Sequence, residues 1–180
     1  MEQRAALGAG STQVVRETQY LTFSVGTEEY GVDILRVQEI KGQTAITPIP
    51  NAPASIKGVM NLRGTVVPVI GLRETFGMEP RVYDKFSVII VMTVGPRAVG
   101  VLVDAVSDVV NLKLSDIELA PEFGNRIDMS LIEGMARSGD KFIIILAIEK
   151  VVAGVNIKTE AGPPAPAEAG GSPQDRSFAA

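Results

Sequence analysis

The sequence predicts an all-β protein made of two small, similarly built barrels in tandem, with few short helices. Apolar residues occur mainly in short β-branched runs separated by Gly and Pro, which is the pattern of an all-β domain. Segments of the first half of the chain recur, in the same order, in the second half. Of the 180 residues, 46% are hydrophobic, which is enough to form a packed core.

The folded region is expected at about residues 18–155. Alternation of apolar and polar residues starts at Tyr20, and residues 1–17, which show little apolar pattern, are predicted to be a flexible N-terminus. Residues 156–180 are rich in Pro, Ala and Gly, and no Leu, Ile or Val occurs from residue 161 onward. Such a composition cannot bury enough apolar area to offset the entropy of ordering, so this segment is predicted to be a disordered tail.

Six apolar runs are predicted to form strands. In chain order they lie at 21–25, 58–62, 65–72, 86–94, 98–106 and 141–148. Pro68 has no backbone N–H, so we expect its strand at a sheet edge or at a bulge.

Two short helices are predicted between the strands. One runs from Leu72 to Phe76, with Gly77 as a plausible C-cap. The other starts at Ser115, where a Ser-x-x-Glu capping box is followed by Pro121 as a stop.

An internal duplication organises the chain. Each half reads as a hairpin, a variable loop, an Ile-x-Gly motif, a second glycine and an apolar strand. The hairpins end at Asp33 and Asp104, the Ile-x-Gly motifs lie at 56–58 and 132–134, and the second glycines are Gly64 and Gly139. This predicts a first barrel at about 18–80 and a second at about 81–155, with a groove between them and with strand exchange between them allowed. The alternative is a chance similarity between Val- and Gly-rich strands.

The composition excludes most catalytic chemistry. The chain has no His and no Cys, which removes the usual catalytic triads, zinc sites, disulfides and thiol chemistry. No Gly precedes a Lys, so there is no phosphate-binding P-loop. Asp104 and Asp108 are interpreted as solvated ends of a strand and a turn rather than as an acid–base pair. We therefore expect no enzyme activity, no cofactor and no metal site.

A cytoplasmic location without membrane insertion is expected. The longest uninterrupted apolar run extends from Phe142 to Ile148, far short of the roughly 18 residues that cross a bilayer. The N-terminus lacks the apolar stretch of a secretory signal.

Charge is segregated along the chain. Residues 34–73 hold five basic residues and one acid, whereas residues 104–133 hold seven acids and two basic residues. Two faces of opposite charge would suit two different partners, and ordinary solvated surface is the alternative. Nucleic-acid binding by the basic segment is disfavoured, because residues 34–73 contain no aromatic residue on which a base could stack. Arg63 lies at a predicted turn, where it can bind a partner's carboxylate or pair within the chain, with Glu39 as one candidate.

Four motifs together resemble the CheW family, the coupling proteins of bacterial chemotaxis. They lie at 28–40, 56–72, 100–112 and 139–152, and the resemblance covers about residues 18–152. It implies two five-stranded, SH3-like β-barrels and a non-enzymatic adaptor at membrane-associated receptor arrays. The implied partners are the cytoplasmic tips of chemoreceptors and the regulatory domain of the histidine kinase CheA. The pathway that the resemblance implies is flagellar chemotaxis or, alternatively, a related array that controls surface motility.

The resemblance also implies a receptor-binding surface in the groove between the barrels. Its matching positions are Val37, Glu39, Gly58, Arg63 and, less directly, Val109. Val37 would offer apolar area, Gly58 would allow close backbone approach, and Arg63 with Glu39 would fix polar register. The kinase-binding residues are not assigned. One departure from the family pattern is Gly71, where an Asp is common.

Overall fold

The computed structural model describes residues 17–42, 44–121 and 127–155, and it is built almost entirely of β-strands. The strands are β1 (Glu17–Val25), β2 (Glu28–Asp33), β3 (Val37–Lys41), β4 (Ile56–Leu62), β5 (Thr65–Gly71), β6 (Val88–Val94), β7 (Arg97–Val103), β8 (Ala105–Lys113), β9 (Ile117–Glu118), β10 (Ile132–Ser138) and β11 (Lys141–Leu146). Within these ranges the helices are α1 (Leu72–Thr75) and α2 (Ile148–Gly154), and single 3₁₀ turns lie at 34–36, 114–116 and 129–131. The predicted all-β class is confirmed.

The strands form two sheets that each combine both halves of the chain. One sheet has the order β8-β1-β2-β11-β10-β9, and the other has the order β3-β6-β7-β5-β4. In each sheet a hairpin of one half joins a hairpin of the other half through a parallel pair, β2 with β11 and β7 with β5. The boundary expected near residue 80 therefore does not separate the two sheets. The two halves exchange strands, because the edge strand of a hairpin from one half pairs with the edge strand of a hairpin from the other half.

The pairing confirms the internal duplication. Gly31 pairs with Ile145 in one parallel ladder, and Gly100 pairs with Val69 in the other. A Cβ atom added at Gly31 would lie 3.0 Å from Cγ2 of Ile143, and one at Gly100 would lie 2.8 Å from Cγ2 of Ile89. These equivalent glycines let the two hairpins pack against their neighbours. The Ile-x-Gly motifs also correspond, since the register of β4 shifts before Gly58 and that of β10 shifts before Gly134.

The largest core lies between the two sheets. It joins buried residues of β1 and β2, such as Phe23 and Tyr30, to residues of β6 such as Ile90 and Met92. Alternate residues of β6, Ile89 and Val91, belong instead to a separate cluster inside the β3-β6-β7-β5-β4 sheet. A third cluster fills the other sheet. Each barrel therefore has a small interior of its own and depends on a shared interface for most of its apolar burial.

The first predicted helix is confirmed, and the second is wrong. In α1 the Phe76 N–H donates to the Leu72 carbonyl at 2.9 Å, and Gly77 follows at φ +66°, as a C-cap glycine does. Residues 114–116 form only a 3₁₀ turn, and no side chain caps its N-terminus. Glu118 instead lies in β9, which pairs with β10. Pairing with an available strand outweighs the local capping pattern.

The expectation for Pro68 is confirmed in one of its two forms. Pro68 is not in an edge strand, since β5 lies between β4 and β7, but the β4–β5 ladder has a bulge between Ile56 and Gly58, opposite Ile70 and Val69. Its missing N–H is tolerated because the parallel pairing of β5 with β7 begins one residue later, at Val69. Helix α2 was not predicted, although Ile148, Val151 and Val155 are buried at helical spacing. The apolar run of β11 continues directly into this helix, so the sequence gives no sign of where the strand ends and the helix begins.

The chain ends fall largely outside the described residues. The predicted flexible N-terminus is undescribed except for Glu17, which begins β1, and the predicted tail at 156–180 lies wholly outside. Within the described ranges, no helix has both the length and the apolar character needed to cross a membrane.

Candidate partner-binding surface

Arg63 occupies the tight turn between β4 and β5. Arg63 and Gly64 both have positive φ, +51° and +85°, as a two-residue type I′ hairpin turn requires. The turn is fixed by the Asn61 side chain, whose Oδ1 accepts a hydrogen bond from the Gly64 N–H at 2.8 Å. The Arg63 side chain is 77% exposed. A rigid hairpin tip thus presents a guanidinium to solvent.

Glu39 organises the charges around this turn. Its Oε2 lies 3.2 Å from Nη2 of Arg63 and 3.2 Å from Nζ of Lys41. The pairing expected between Arg63 and Glu39 is therefore confirmed. Glu39 lies on β3, an outer strand of its sheet, and its side chain is 20% exposed. Exposed ion pairs contribute at most about 1 kcal/mol to the free energy of unfolding. The main effect of this pair is therefore to orient the guanidinium of Arg63.

Val37 begins β3 and pairs with Met92. It is half-buried and packs against the core between the sheets. Two apolar residues next to it were missed by sequence reasoning. Leu35 is 85% exposed in the 3₁₀ turn that Asp33 caps, and Ile40 is exposed on β3 itself.

Gly58 is buried and already closely approached by the chain itself. It has φ +140°, and a Cβ atom there would overlap the carbonyl of Thr47. Thr47 pairs with Val59 through two backbone hydrogen bonds of 2.8 and 2.9 Å. The close approach that this glycine allows is therefore made by the chain's own loop before β4.

Val109 lies on the other sheet. It pairs with Leu21 from β8, the outer strand next to β1, and it is exposed. Its N–H donates to the Asp108 carboxylate at 2.7 Å. The structure thus brings Glu39 and Arg63 into contact and places Val37 on the same strand as Glu39. Gly58 supports them from β4, and no hydrogen bond between described residues links Val109 to this group.

The basic segment does not form an unpaired basic face. Each of its five cations has a carboxylate within 4 Å: Arg36 pairs with Glu149, Lys41 and Arg63 with Glu39, Lys57 with Glu74, and Arg73 with Asp104. The prediction of two faces of opposite charge is therefore wrong for the basic segment. The pairing also removes the electrostatic argument for nucleic-acid binding.

Asp104 is buried, so its interpretation as a solvated strand end is wrong. Its side chain is 7% exposed and accepts hydrogen bonds from Nε and Nη2 of Arg73 at 2.8 and 2.5 Å and from the Gly26 N–H at 2.9 Å. Burial by itself would raise the pKa of Asp104, but the hydrogen bonds from Arg73 and Gly26 outweigh it and hold that pKa below its usual value. The pair ties α1 to the start of β8 and to the β1–β2 turn.

Within the described part of the chain, no group of three or more acidic side chains is arranged to hold a metal ion.

Comparison with known proteins identifies the family. The CheW-like domain matches residues 19–155, which is most of the chain. The chain belongs to the CheW family. It is 45% identical over 134 residues to the chemotaxis protein CheW of Klebsiella aerogenes, covering 74% of this chain and 81% of that protein. It is 37% identical over 133 residues to CheW of Rhizobium meliloti, covering 74% and 86%.

A solved structure has the same fold. The scaffolding protein CheW of Thermoanaerobacter tengcongensis superposes with a TM-score of 0.70 at 37% identity, covering 76% of this chain and 88% of that one. As a CheW-family member, the chain has the role of a coupling adaptor in chemotaxis. The exposed Arg63 turn and strand β3 are therefore surfaces of an adaptor.

Proposed function

We propose that this chain is a non-enzymatic adaptor that bridges chemoreceptors and the histidine kinase CheA. It holds the cytoplasmic tips of the receptors on one surface and the regulatory domain of the kinase on another. Its place is the cytoplasmic face of membrane-associated receptor arrays. The family supports the adaptor role, and the absence of His and Cys from the sequence supports the lack of catalysis.

The receptor-binding surface in this proposal combines the β4–β5 turn with strand β3. Arg63 carries the recognition, because its exposed guanidinium stands on a rigid turn and is oriented by Glu39. A guanidinium held in this way can donate two parallel hydrogen bonds to a carboxylate on a receptor helix. The observation that carries the proposal is this exposed arginine, which Glu39 orients on a rigid turn.

The apolar part of the surface comes from β3 and the turn before it. Leu35 and Ile40 are exposed, and Val37 contributes its accessible half. Apolar residues flanked by Arg match the composition of protein–protein interfaces, in which charged groups surround a buried centre. Gly58 acts on this surface indirectly, because it seats the loop of Thr47 against β4. Val109 is a separate contact on the other sheet, and the kinase-binding residues stay unassigned.

A bridge has a distinctive dependence on its own concentration. One molecule must hold both partners, so excess adaptor fills receptors and kinases with separate copies. With receptor and kinase fixed, receptor-stimulated kinase activity is expected to rise and then fall as this protein is titrated over a wide concentration range. The measurement is phosphate transfer from ATP by the kinase, with a blank in which this protein alone is incubated with ATP.

The outcomes of this titration separate the alternatives. A rise followed by a fall, with no ATP hydrolysis in the blank, supports the bridge. Saturation without decline contradicts simple bridging. Full kinase stimulation in the absence of receptor rejects the bridge and identifies a direct activator.

A further inference from the structure

The backbone conformation at residue 71 does not require the glycine that is found there. It precedes α1 with φ −89° and ψ 120°, an extended conformation open to any residue. Its N–H donates to the Ser55 carbonyl at 2.8 Å, as any non-proline residue could. A Cβ atom added at this position would overlap Oε2 of Glu74 and would lie 2.9 Å from Cδ of Lys57. The space in front of Gly71 is therefore occupied by a charged side chain of α1.

The Glu74 carboxylate in that space is buried and has partners from two other elements. Its side chain is 8% exposed. Nζ of Lys57 lies 2.7 Å from Oε1, and the Tyr83 hydroxyl donates to the carboxylate at 3.2 Å. The Lys57 ammonium also lies 5.3 Å from the centre of the Tyr83 ring. A carboxylate, an ammonium and a phenol thus form one cluster.

This cluster joins three parts of the fold. Lys57 belongs to β4, Glu74 to α1, and Tyr83 to residues 78–87, the connection between the two halves of the chain. That connection has no regular secondary structure, and Val82 and Phe86 within it are exposed. Tyr83 is therefore one fixed point of this segment, in addition to the hydrogen bond from Arg73 to the Glu79 carbonyl and the ion pair of Arg81 with Asp104.

We propose that Gly71 and Glu74 are a coupled pair, in which the missing side chain at residue 71 creates the site that the Glu74 carboxylate fills. Glu74 is a positioning residue that fixes the connection between the halves to β4. The carboxylate reaches this site from α1 because residue 71 carries no side chain. A carboxylate placed at residue 71 points into the same site and reaches Lys57 once Glu74 is shortened.

The test is a double-mutant cycle with Gly71→Ala, Glu74→Ala and both together, measured as the unfolding equilibrium constant in urea. Gly71→Ala alone is expected to raise that constant at least tenfold, because its Cβ displaces the carboxylate from Lys57 and Tyr83. In the Glu74→Ala background the same change is expected to raise it less than twofold. Gly154→Ala is the matched control, since a Cβ there meets nothing within 4 Å. Equal effects of Gly71→Ala in both backgrounds would overturn the coupling.

A relocation variant tests the role of the carboxylate without a steric clash. Gly71→Asp combined with Glu74→Ala is expected to lower the unfolding constant at least threefold relative to Glu74→Ala. It is also expected to restore slow amide hydrogen exchange at residues 83–87, which Glu74→Ala makes faster. A relocation variant no more stable than Glu74→Ala, or exchange at 83–87 that Glu74→Ala leaves unchanged, would refute the anchoring role. Both readouts use the free protein, so they do not depend on the proposed bridging.

Discussion

Reversing the charge of Arg63 tests the proposed receptor surface directly. Arg63→Glu replaces the 3.2 Å ion pair with Glu39 by two facing carboxylates, one on the β4–β5 turn and one on β3. The change in stability is expected to stay near 1 kcal/mol, because two charges about 4 Å apart interact by only about 1 kcal/mol in water. The positive φ of residue 63 adds nothing, since Glu and Arg are both L-residues with a Cβ.

The loss of receptor affinity is expected to be much larger than the loss of stability. Removing one member of a desolvated interface pair costs about 2–5 kcal/mol. At about 1.4 kcal/mol per factor of ten, the lower value corresponds to roughly thirtyfold weaker binding. The assay is titration of a receptor cytoplasmic fragment with the variant, alongside urea unfolding of the variant alone. Arg97→Glu, the same charge change at an exposed position on β7, is the matched control.

A second variant distinguishes direct contact of Arg63 with the receptor from a role of Arg63 in organising the turn. Arg63→Glu combined with Glu39→Arg restores an ion pair at the turn with its polarity reversed. If Arg63 contacts the receptor, affinity stays low in this double variant, and this is the expected result. Recovery of affinity would assign Arg63 to organising the turn. An affinity of Arg63→Glu within twofold of wild type would refute the surface, and a collapse of its melting temperature would make Arg63 structural.

Four further predictions concern the fold. Asp104→Asn is expected to lower the free energy of unfolding by about 3 kcal/mol, because it leaves the buried partner guanidinium without its counter-charge. Folding lowers the pKa of Asp104, so the stability that its carboxylate supplies is present above the unfolded pKa and is lost as pH falls through the folded pKa. The free energies of unfolding of wild type and variant, measured in urea, are therefore expected to converge in acid. A difference that stays constant with pH would contradict this. Fragments 17–80 and 81–155 are expected to show no cooperative unfolding when alone and to assemble one to one when mixed, because each sheet contains strands from both fragments. Circular dichroism and sedimentation measure this. Cooperative unfolding of a single fragment would be the contrary result. Tyr30→Phe is expected to keep or raise the melting temperature, because the Tyr30 hydroxyl is buried and has no hydrogen-bond partner among the described residues. A drop of several degrees would contradict this. Deleting residues 161–180 is expected to leave the melting temperature and both partner affinities nearly unchanged, and dispersed amide resonances from that segment would contradict its predicted disorder.

Short-range features of this protein could be determined from its sequence. Apolar runs located six of the eleven described strands, and the repeated Ile-x-Gly motifs indicated the duplication that the pairing confirms. Gly77 ended α1 where predicted, because a C-cap depends on residues within one turn. The pairing of Arg63 with Glu39 was anticipated as one of two alternatives. The strands and the helix cap depend on neighbours along the chain, whereas the partners in the Arg63–Glu39 pair are 24 residues apart and Glu39 could be named only as one candidate.

The partners of the strands and of the charges were decided only by the tertiary structure. The halves exchange hairpins, so Asp104, a strand end in the sequence, is buried between Arg73 and the Gly26 turn of the other sheet. Glu118 lies in a strand instead of a capping box, and Arg36 and Arg73 pair with carboxylates that are distant in the chain. Alternation along a strand specifies which face is buried but does not specify the edge against which that strand pairs. That edge is set by the shared core between the sheets, whose contributing residues are far apart in the chain.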